Sequence, residues 1–242
     1  MPDHSTKIMI TTVVLPCYNP QPGWEKNISL FYDSFRSQIN GEVELILVMD
    51  GDGPWFNETI SSYLLQHIPG IIIVSYPQNR GKGFAIRQGV AKASGNIIIY
   101  TDVDFPYTME SMCMIHQELA NGHADVAIGI KDGHYYSYLT PMRRFISKFL
   151  QALIRLCVRI PISDTQCGLK GFSLSVATVF MRTSVDRYLF DLEFVKLCYR
   201  EKQLKVKPIP VTLNENVHFR KMNYRILLPE MMNFAKLLFK AR

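Results

Sequence analysis

Two short, unbroken apolar runs constrain this chain most: Ile71-Ile72-Ile73-Val74 and Ile97-Ile98-Ile99-Tyr100. A strand with one wet face alternates apolar and polar residues. A run without polar interruption needs apolar cover on both faces. Both runs lie in a region where strand-like and helix-like patterns alternate. Strands are expected at 8–15, 43–49, 70–75, 96–101 and 125–130, and helices at 24–38, 54–67, 81–93 and 108–121. That alternation predicts an α/β fold, a mainly parallel central sheet flanked by helices. In such sheets ligands bind beyond the carboxyl ends of the strands.

The loops at those ends carry the polar chemistry. They are Pro16-Cys17-Tyr18-Asn19-Pro20, Asp50-Gly51-Asp52-Gly53, Gln78-Asn79-Arg80-Gly81-Lys82-Gly83 and Asp102-Val103-Asp104. Asp-Gly pairs are also ordinary turn residues. Gly81-Lys82-Gly83 lacks the spacing of a P-loop, but it could bring backbone N–H groups and a lysine to an anion at a helix start. Asp102 and Asp104 follow an apolar strand one residue apart. Two adjacent carboxylates repel unless a cation or water separates them, and oxygen ligands of this kind suit Mg²⁺ or Mn²⁺ shared with substrate phosphates. The alternative for the pair is a helix-capping turn.

Composition sets limits on the rest. With 242 residues, 48% hydrophobic and 20% charged, the chain can bury one full core, and residues 1–242 are expected to form a single domain. No apolar run approaches the roughly 18–20 residues that cross a bilayer. The first residues lack a basic-then-apolar leader. Cys17, Cys113, Cys157, Cys167 and Cys198 are scattered, which fits neither a zinc ribbon nor a disulfide scaffold. The expectation is a cytoplasmic protein that is not secreted and has no transmembrane helix.

The net charge of +6 is uneven. Residues 131–160 and 216–242 each carry six basic side chains against one acid, so the remainder is acidic. This points to a localised anionic partner. No zinc-finger spacing or aromatic RNA-binding signature supports nucleic acid. Thr140-Pro141 opens a helix and Pro161 closes it. Within it Arg144, Lys148, Arg155 and Arg159 fall in roughly 60° of arc over about 22 Å. Such a helix can lie on an anionic membrane surface, or it can be a core helix with a solvated basic face. Residues 229–242 present the same two choices.

Taken together, the loop motifs resemble those of family 2 inverting nucleotide-sugar glycosyltransferases, which have the GT-A fold. The resemblance rests on Val13 to Asn19, on Asn79-Arg80-Gly81-Lys82-Gly83 with Ile86 to Gly89, and on Asp102-Val103-Asp104. Asp164-Thr165-Gln166-Cys167-Gly168-Leu169-Lys170-Gly171-Phe172, followed by Phe190-Asp191-Leu192-Glu193, is most similar to the dolichyl- or polyprenyl-phosphate glucosyltransferase branch. The chain departs from the family pattern at Pro20, Met49 and Pro106, where acidic or metal-binding residues often stand.

The resemblance implies a metal-dependent hexosyltransferase. It would move glucose from UDP-glucose to a polyprenyl phosphate, with Asp102 and Asp104 holding Mg²⁺ or Mn²⁺. Pro16, Tyr18, Asn19, Asp50, Arg80, Gly81, Lys82 and Asp102 become candidate nucleotide-binding residues. Residues 1–130 would form the nucleotide-sugar half and 131–242 the acceptor half. Lys131, Arg143, Arg144 and Lys148 would meet the acceptor phosphate. Asp164 and Asp191 are the catalytic candidates. A phosphomonoester has its second pKa near about 6 and is already anionic at neutral pH. A sugar hydroxyl would need one of the two aspartates as a base. Two other functions remain open: a soluble family 2 enzyme that extends a polysaccharide or glycolipid, and a non-catalytic nucleotide-sugar- or membrane-binding scaffold.

Overall fold

The computed structural model describes residues 9–131, 160–162 and 164–214, together with Met142, Arg144 and Phe234. Seven strands form one sheet: β1 (Ile10–Cys17), β2 (Glu42–Asp50), β3 (Ile72–Tyr76), β4 (Ile97–Tyr100), β5 (Val126–Lys131), β6 (Lys170–Ser173) and β7 (Val206–Val211). Their spatial order is β3-β2-β1-β4-β6-β5-β7. The first four pair in parallel. β6 is antiparallel to both of its neighbours, and β7 runs parallel to β5 at the edge. The sheet is therefore mainly parallel with one reversed strand.

The helices are α1 (Trp24–Gln38), α2 (Glu58–His67), α3 (Lys82–Val90), α4 (Met109–Ala120), α5 (Ala177–Phe180) and α6 (Phe190–Arg200). α1 keeps the bounds its sequence pattern predicts. α2 starts later than expected because Asn57 takes the N-cap and accepts the Ile60 N–H at 3.0 Å. Thr108 caps α4 in the same way, through the Ser111 N–H.

Two apolar layers explain the unbroken runs. Ile97 and Ile99 pack with Val13, Leu15, Phe35, Leu64 and Ile115 on the side of α1, α2 and α4. Ile98 and Tyr100 pack with Val14, Ile86, Phe172, Phe180 and Phe190 on the side of α3, α5 and α6. Period-two alternation thus sends every residue of β4 into a core.

β6 and β7 escape a reading based on apolar pattern. β6 contains Lys170, which is fully buried. Its ammonium lies 2.5 Å from Asp191 Oδ1 on α6 and 2.5 Å from the Cys167 carbonyl oxygen. The Tyr100 hydroxyl donates to the same Asp191 oxygen at 2.7 Å. Burial, followed by the neighbouring Asp191 charge, holds the Tyr100 phenol far above its usual pKa, so it stays a donor. β7 contains Pro208 and Pro210, which break a central ladder but are tolerated on an edge strand.

A buried ion pair loses more when one partner is removed than when both are replaced. Lys170→Met should cost about 3–5 kcal/mol in urea unfolding, because Asp191 is left charged and buried. Lys170→Met combined with Asp191→Leu should regain much of that loss. A single variant as stable as wild type would contradict this account of the pair.

Candidate active site

The carboxyl ends of β1, β2 and β4 and the start of α3 surround a cleft of about 470 Å³. Pro16, Cys17 and Tyr18 line it from β1 and its following loop, and Asp50 from the end of β2. Asn79, Gly81 and Lys82 contribute from the β3–α3 turn, and Asp102, Val103 and Asp104 from the loop after β4. Arg187 and Tyr188 close it from the segment before α6.

Asp50 organises the β3–α3 turn. Its buried carboxylate accepts hydrogen bonds from Tyr76 Oη (2.9 Å), Asn79 Nδ2 (2.9 Å), Arg80 N (2.7 Å) and Gly81 N (2.9 Å). Four donors satisfy the anion without a buried cation. Gly81 has φ +106°, a conformation that favours glycine. A Cβ at Gly81 would also lie 2.5 Å from the Asp186 carbonyl oxygen.

The start of α3 differs from the sequence expectation. The Gly83 and Phe84 N–H groups donate to the Asp186 carbonyl at 2.8 and 3.2 Å, while those of Arg80 and Gly81 go to Asp50. These four backbone donors are thus committed within the protein. The cation offered to the cleft at this turn is the side chain of Lys82.

Lys82 Nζ lies 2.6 Å from Asp102 Oδ1. Burial works against its charge, but Asp102, Asp191 and Asp104 outweigh that cost and raise its pKa above the ordinary lysine value. The ammonium therefore stays protonated at neutral and mildly alkaline pH. Gly168 packs against this pair; a Cβ there would fall 2.5 Å from Asp102 Oδ2 and 3.2 Å from Lys82 Nζ. The Gly168 N–H donates to Tyr107 Oη at 3.2 Å.

The loop that carries Asp102 and Asp104 is held under strain. Phe105 has φ +43°, which is rare for a bulky residue. Its ring stacks on Phe31 with centroids 4.1 Å apart. Asn214 Nδ2 donates to the Phe105 and Tyr107 carbonyls at 2.7 and 3.1 Å. A second hollow of about 360 Å³, bordered by Phe31, Phe105 and Met112, meets the main cleft at Asp104.

Among the described residues no group of three or more His, Cys, Asp or Glu side chains gathers as a metal cage. The chain presents two cleft carboxylates, Asp102 and Asp104. That donor set fits a hard divalent ion that keeps several positions for phosphate and water.

Other candidates lie elsewhere. The Arg80 guanidinium stacks 3.8 Å from the Phe84 ring centroid and does not line the cleft. Asn19, in a left-handed conformation (φ +46°), follows the lining residues but is not among them. Asp164 Oδ2 accepts the Lys131 N–H at 2.8 Å, and its Oδ1 lies 3.6 Å from the Lys131 ammonium. Asp191 is the buried partner of Lys170 and Tyr100. Neither aspartate lines the cleft. Arg144 is helical and exposed; Arg143, Lys148 and most of the basic helix expected after Thr140 lie outside the described residues.

Comparison with known proteins adds a family to this geometry. The model of "Glycosyl transferase family 2" matches residues 12–180. The chain belongs to that family. Two relatives from Trichomonas vaginalis are named dolichyl-phosphate beta-glucosyltransferase ALG5A and ALG5C. They are 27% identical over 213 residues and 28% identical over 219. The matches cover 84% and 85% of this chain but 65% and 64% of the relatives, so the chain spans a little under two thirds of their length. Among solved structures, glucosyl-3-phosphoglycerate synthase from Mycobacterium tuberculosis, in complex with Mg²⁺ and uridine diphosphate, superposes with a TM-score of 0.63 at 15% identity. That match covers 96% of this chain and 79% of the other. At that identity the likeness establishes the fold, which is GT-A.

Arg187 and Tyr188 carry no motif of their own in the sequence. The available signal was their position directly before Phe190-Asp191-Leu192-Glu193. The Asp50 network makes a stability prediction. Asp50→Asn replaces acceptor lone pairs with an NH₂ facing other donors, and should cost about 2–4 kcal/mol in denaturant unfolding. A loss well below about 1 kcal/mol would show that the four bonds do not hold the turn.

Proposed function

We propose that this family 2 glycosyltransferase moves a hexose, glucose foremost, from a nucleotide sugar to a polyprenyl or dolichyl phosphate, with inversion at the anomeric carbon. The observation that carries the choice of acceptor is the engagement of both candidate bases. Asp164 is bound to Lys131, and Asp191 to Lys170 and Tyr100, and neither is among the described lining residues of the cleft. A sugar hydroxyl requires a base within hydrogen-bond reach. A phosphomonoester is already anionic and requires none. The names of the two Trichomonas relatives point to the same acceptor class.

In this reading residues 1–130 supply most of the donor site. The ends of β1 and β2 face the nucleoside, with Tyr18 standing 5.4 Å from Trp55, ring centroid to centroid. Asp102 and Asp104 would hold Mg²⁺ or Mn²⁺. A divalent ion there supplies charge neutralisation for a leaving diphosphate. Lys82 remains cationic through its carboxylate neighbours and adds fixed positive charge beside Asp102. The acceptor oxygen forms the new bond to the anomeric carbon as the bond to the nucleoside diphosphate breaks, and the electron pair leaves with the diphosphate. No proton need be removed from the acceptor.

Residues 131–242 would receive the acceptor, with Lys131, Arg143, Arg144 and Lys148 near its phosphate. Among the described residues no helix is long and apolar enough to cross a membrane. The basic segments would instead bind an anionic surface, each nearby cation contributing about 1 kcal/mol.

The test is transfer by the purified protein from UDP-glucose and from GDP-mannose, with Mn²⁺ or with chelator. UDP-glucose should be preferred, chelator should abolish transfer, and Asp104→Asn should lower turnover about a hundredfold or more while the fold stays intact by circular dichroism. Equal turnover in chelator would remove the proposed metal role of Asp102 and Asp104. A preference for GDP-mannose would overturn the donor assignment.

A further inference from the structure

The cleft has two cationic side chains among its described lining residues, Lys82 and Arg187. They differ in what they already hold. Lys82 is committed to Asp102 at 2.6 Å. The Arg187 guanidinium has no hydrogen bond or ion pair among the described residues. Three carboxylates, those of Asp50, Asp102 and Asp104, line the same space.

The backbone that presents Arg187 is pinned on both sides. The Ser184 and Val185 N–H groups donate to the Glu193 carboxylate at 2.7 and 2.8 Å. Arg87 Nη1 donates to the Val185 carbonyl at 2.9 Å, and the Arg87 guanidinium pairs with the Asp186 carboxylate. The Asp186 carbonyl takes the Gly83 and Phe84 N–H groups from the start of α3. The Arg187 carbonyl accepts the Phe190 N–H at 3.2 Å. Every residue from 184 to 187 is thereby tied to α3 or α6.

This anchoring also places Arg187 beside the Lys82 turn. A Cβ at Gly81 would lie 2.9 Å from Arg187 Cγ. The chain thus presents an exposed, uncommitted guanidinium from an anchored stretch of backbone, next to a lysine that is already paired. Four backbone donors at this turn, those of Arg80, Gly81, Gly83 and Phe84, are already bound to Asp50 and Asp186. An anion in the cleft needs a side-chain donor, and a guanidinium matches phosphate oxygens with two parallel N–H groups.

Resting on the proposed donor reading, we infer that Arg187 binds the distal phosphate of the nucleoside diphosphate. Arg187 is then a binding residue of the donor site that comes from the second half of the chain. Donor affinity therefore depends on the α5–α6 segment as well as on residues before 131.

The experiment is calorimetric titration of wild type, Arg187→Gln and Arg187→Lys with UDP and with UMP in Mn²⁺, and with GDP and GMP in parallel. Wild type should bind the diphosphate of one base. Arg187→Gln should weaken that diphosphate about tenfold or more, a loss of about 1.4 kcal/mol or more. It should leave the matching monophosphate within about twofold, a change below 1 kcal/mol. Arg187→Lys should fall between, and the thermal midpoints should coincide because the guanidinium holds no described partner. Diphosphate affinity unchanged in Arg187→Gln would overturn the inference while leaving the donor reading intact. Equal weakening of mono- and diphosphate would also overturn it. Failure of wild type to bind either nucleoside diphosphate would overturn both the donor reading and this inference.

Discussion

The Lys82–Asp102 pair is the contact on which the cleft depends. A lysine this enclosed keeps its charge only if carboxylates surround it. Asp102 supplies the direct bond, and the nearby charges of Asp104 and Asp191 add to it. The pair links the first residues of α3 to the end of β4. It also fixes what can pack above it, because Gly168 leaves no room for a side chain against Asp102 Oδ2. A carboxylate already oriented by an ammonium loses little freedom when a ligand arrives.

Around that pair the chain uses its carboxylates in two ways. Asp164, Asp191 and Glu193 act inward and tie backbone turns or lysines into place, and Asp50 holds the β3–α3 turn while also lining the cleft. Asp102 and Asp104 face the cleft. This division separates carboxylates that hold turns and lysines from those that reach the cleft. It also underlies the proposed anionic acceptor: the aspartates most available by motif are engaged by other partners, and the described charged lining of the cleft is Asp50, Asp102, Asp104, Lys82 and Arg187.

The sequence made the parallel core legible because its signal is physical and local. Runs such as Ile97 to Tyr100 must be covered on both faces, and the polar loops then fall at one edge by topology alone. The gathering of Tyr18, Asp50, Lys82, Asp102 and Asp104 in one cleft follows from that edge. What remained hidden depends on contacts between distant residues. Lys170 disguises β6 because its partner, Asp191, lies 21 residues on. Pro208 and Pro210 disguise β7 because edge position is a tertiary property. The ties of Asp164 to Lys131 and of the α3 N–H groups to Asp186 bridge separate elements. Arg187 shows no periodicity and no spacing, and only the packing of its segment on Gly81 and Gly83 brings it to the cleft.

The central claim is transfer to a phosphate without a protein base. It is tested most directly by comparing polyprenyl phosphate with the unphosphorylated polyprenol of the same length, in one detergent and with one donor, across pH. The account predicts glycosylation of the phosphate alone, at a rate that is level above about pH 7 because the acceptor's second pKa is near 6. Glycosylation of the alcohol at a comparable rate would contradict it and would require a base within the cleft.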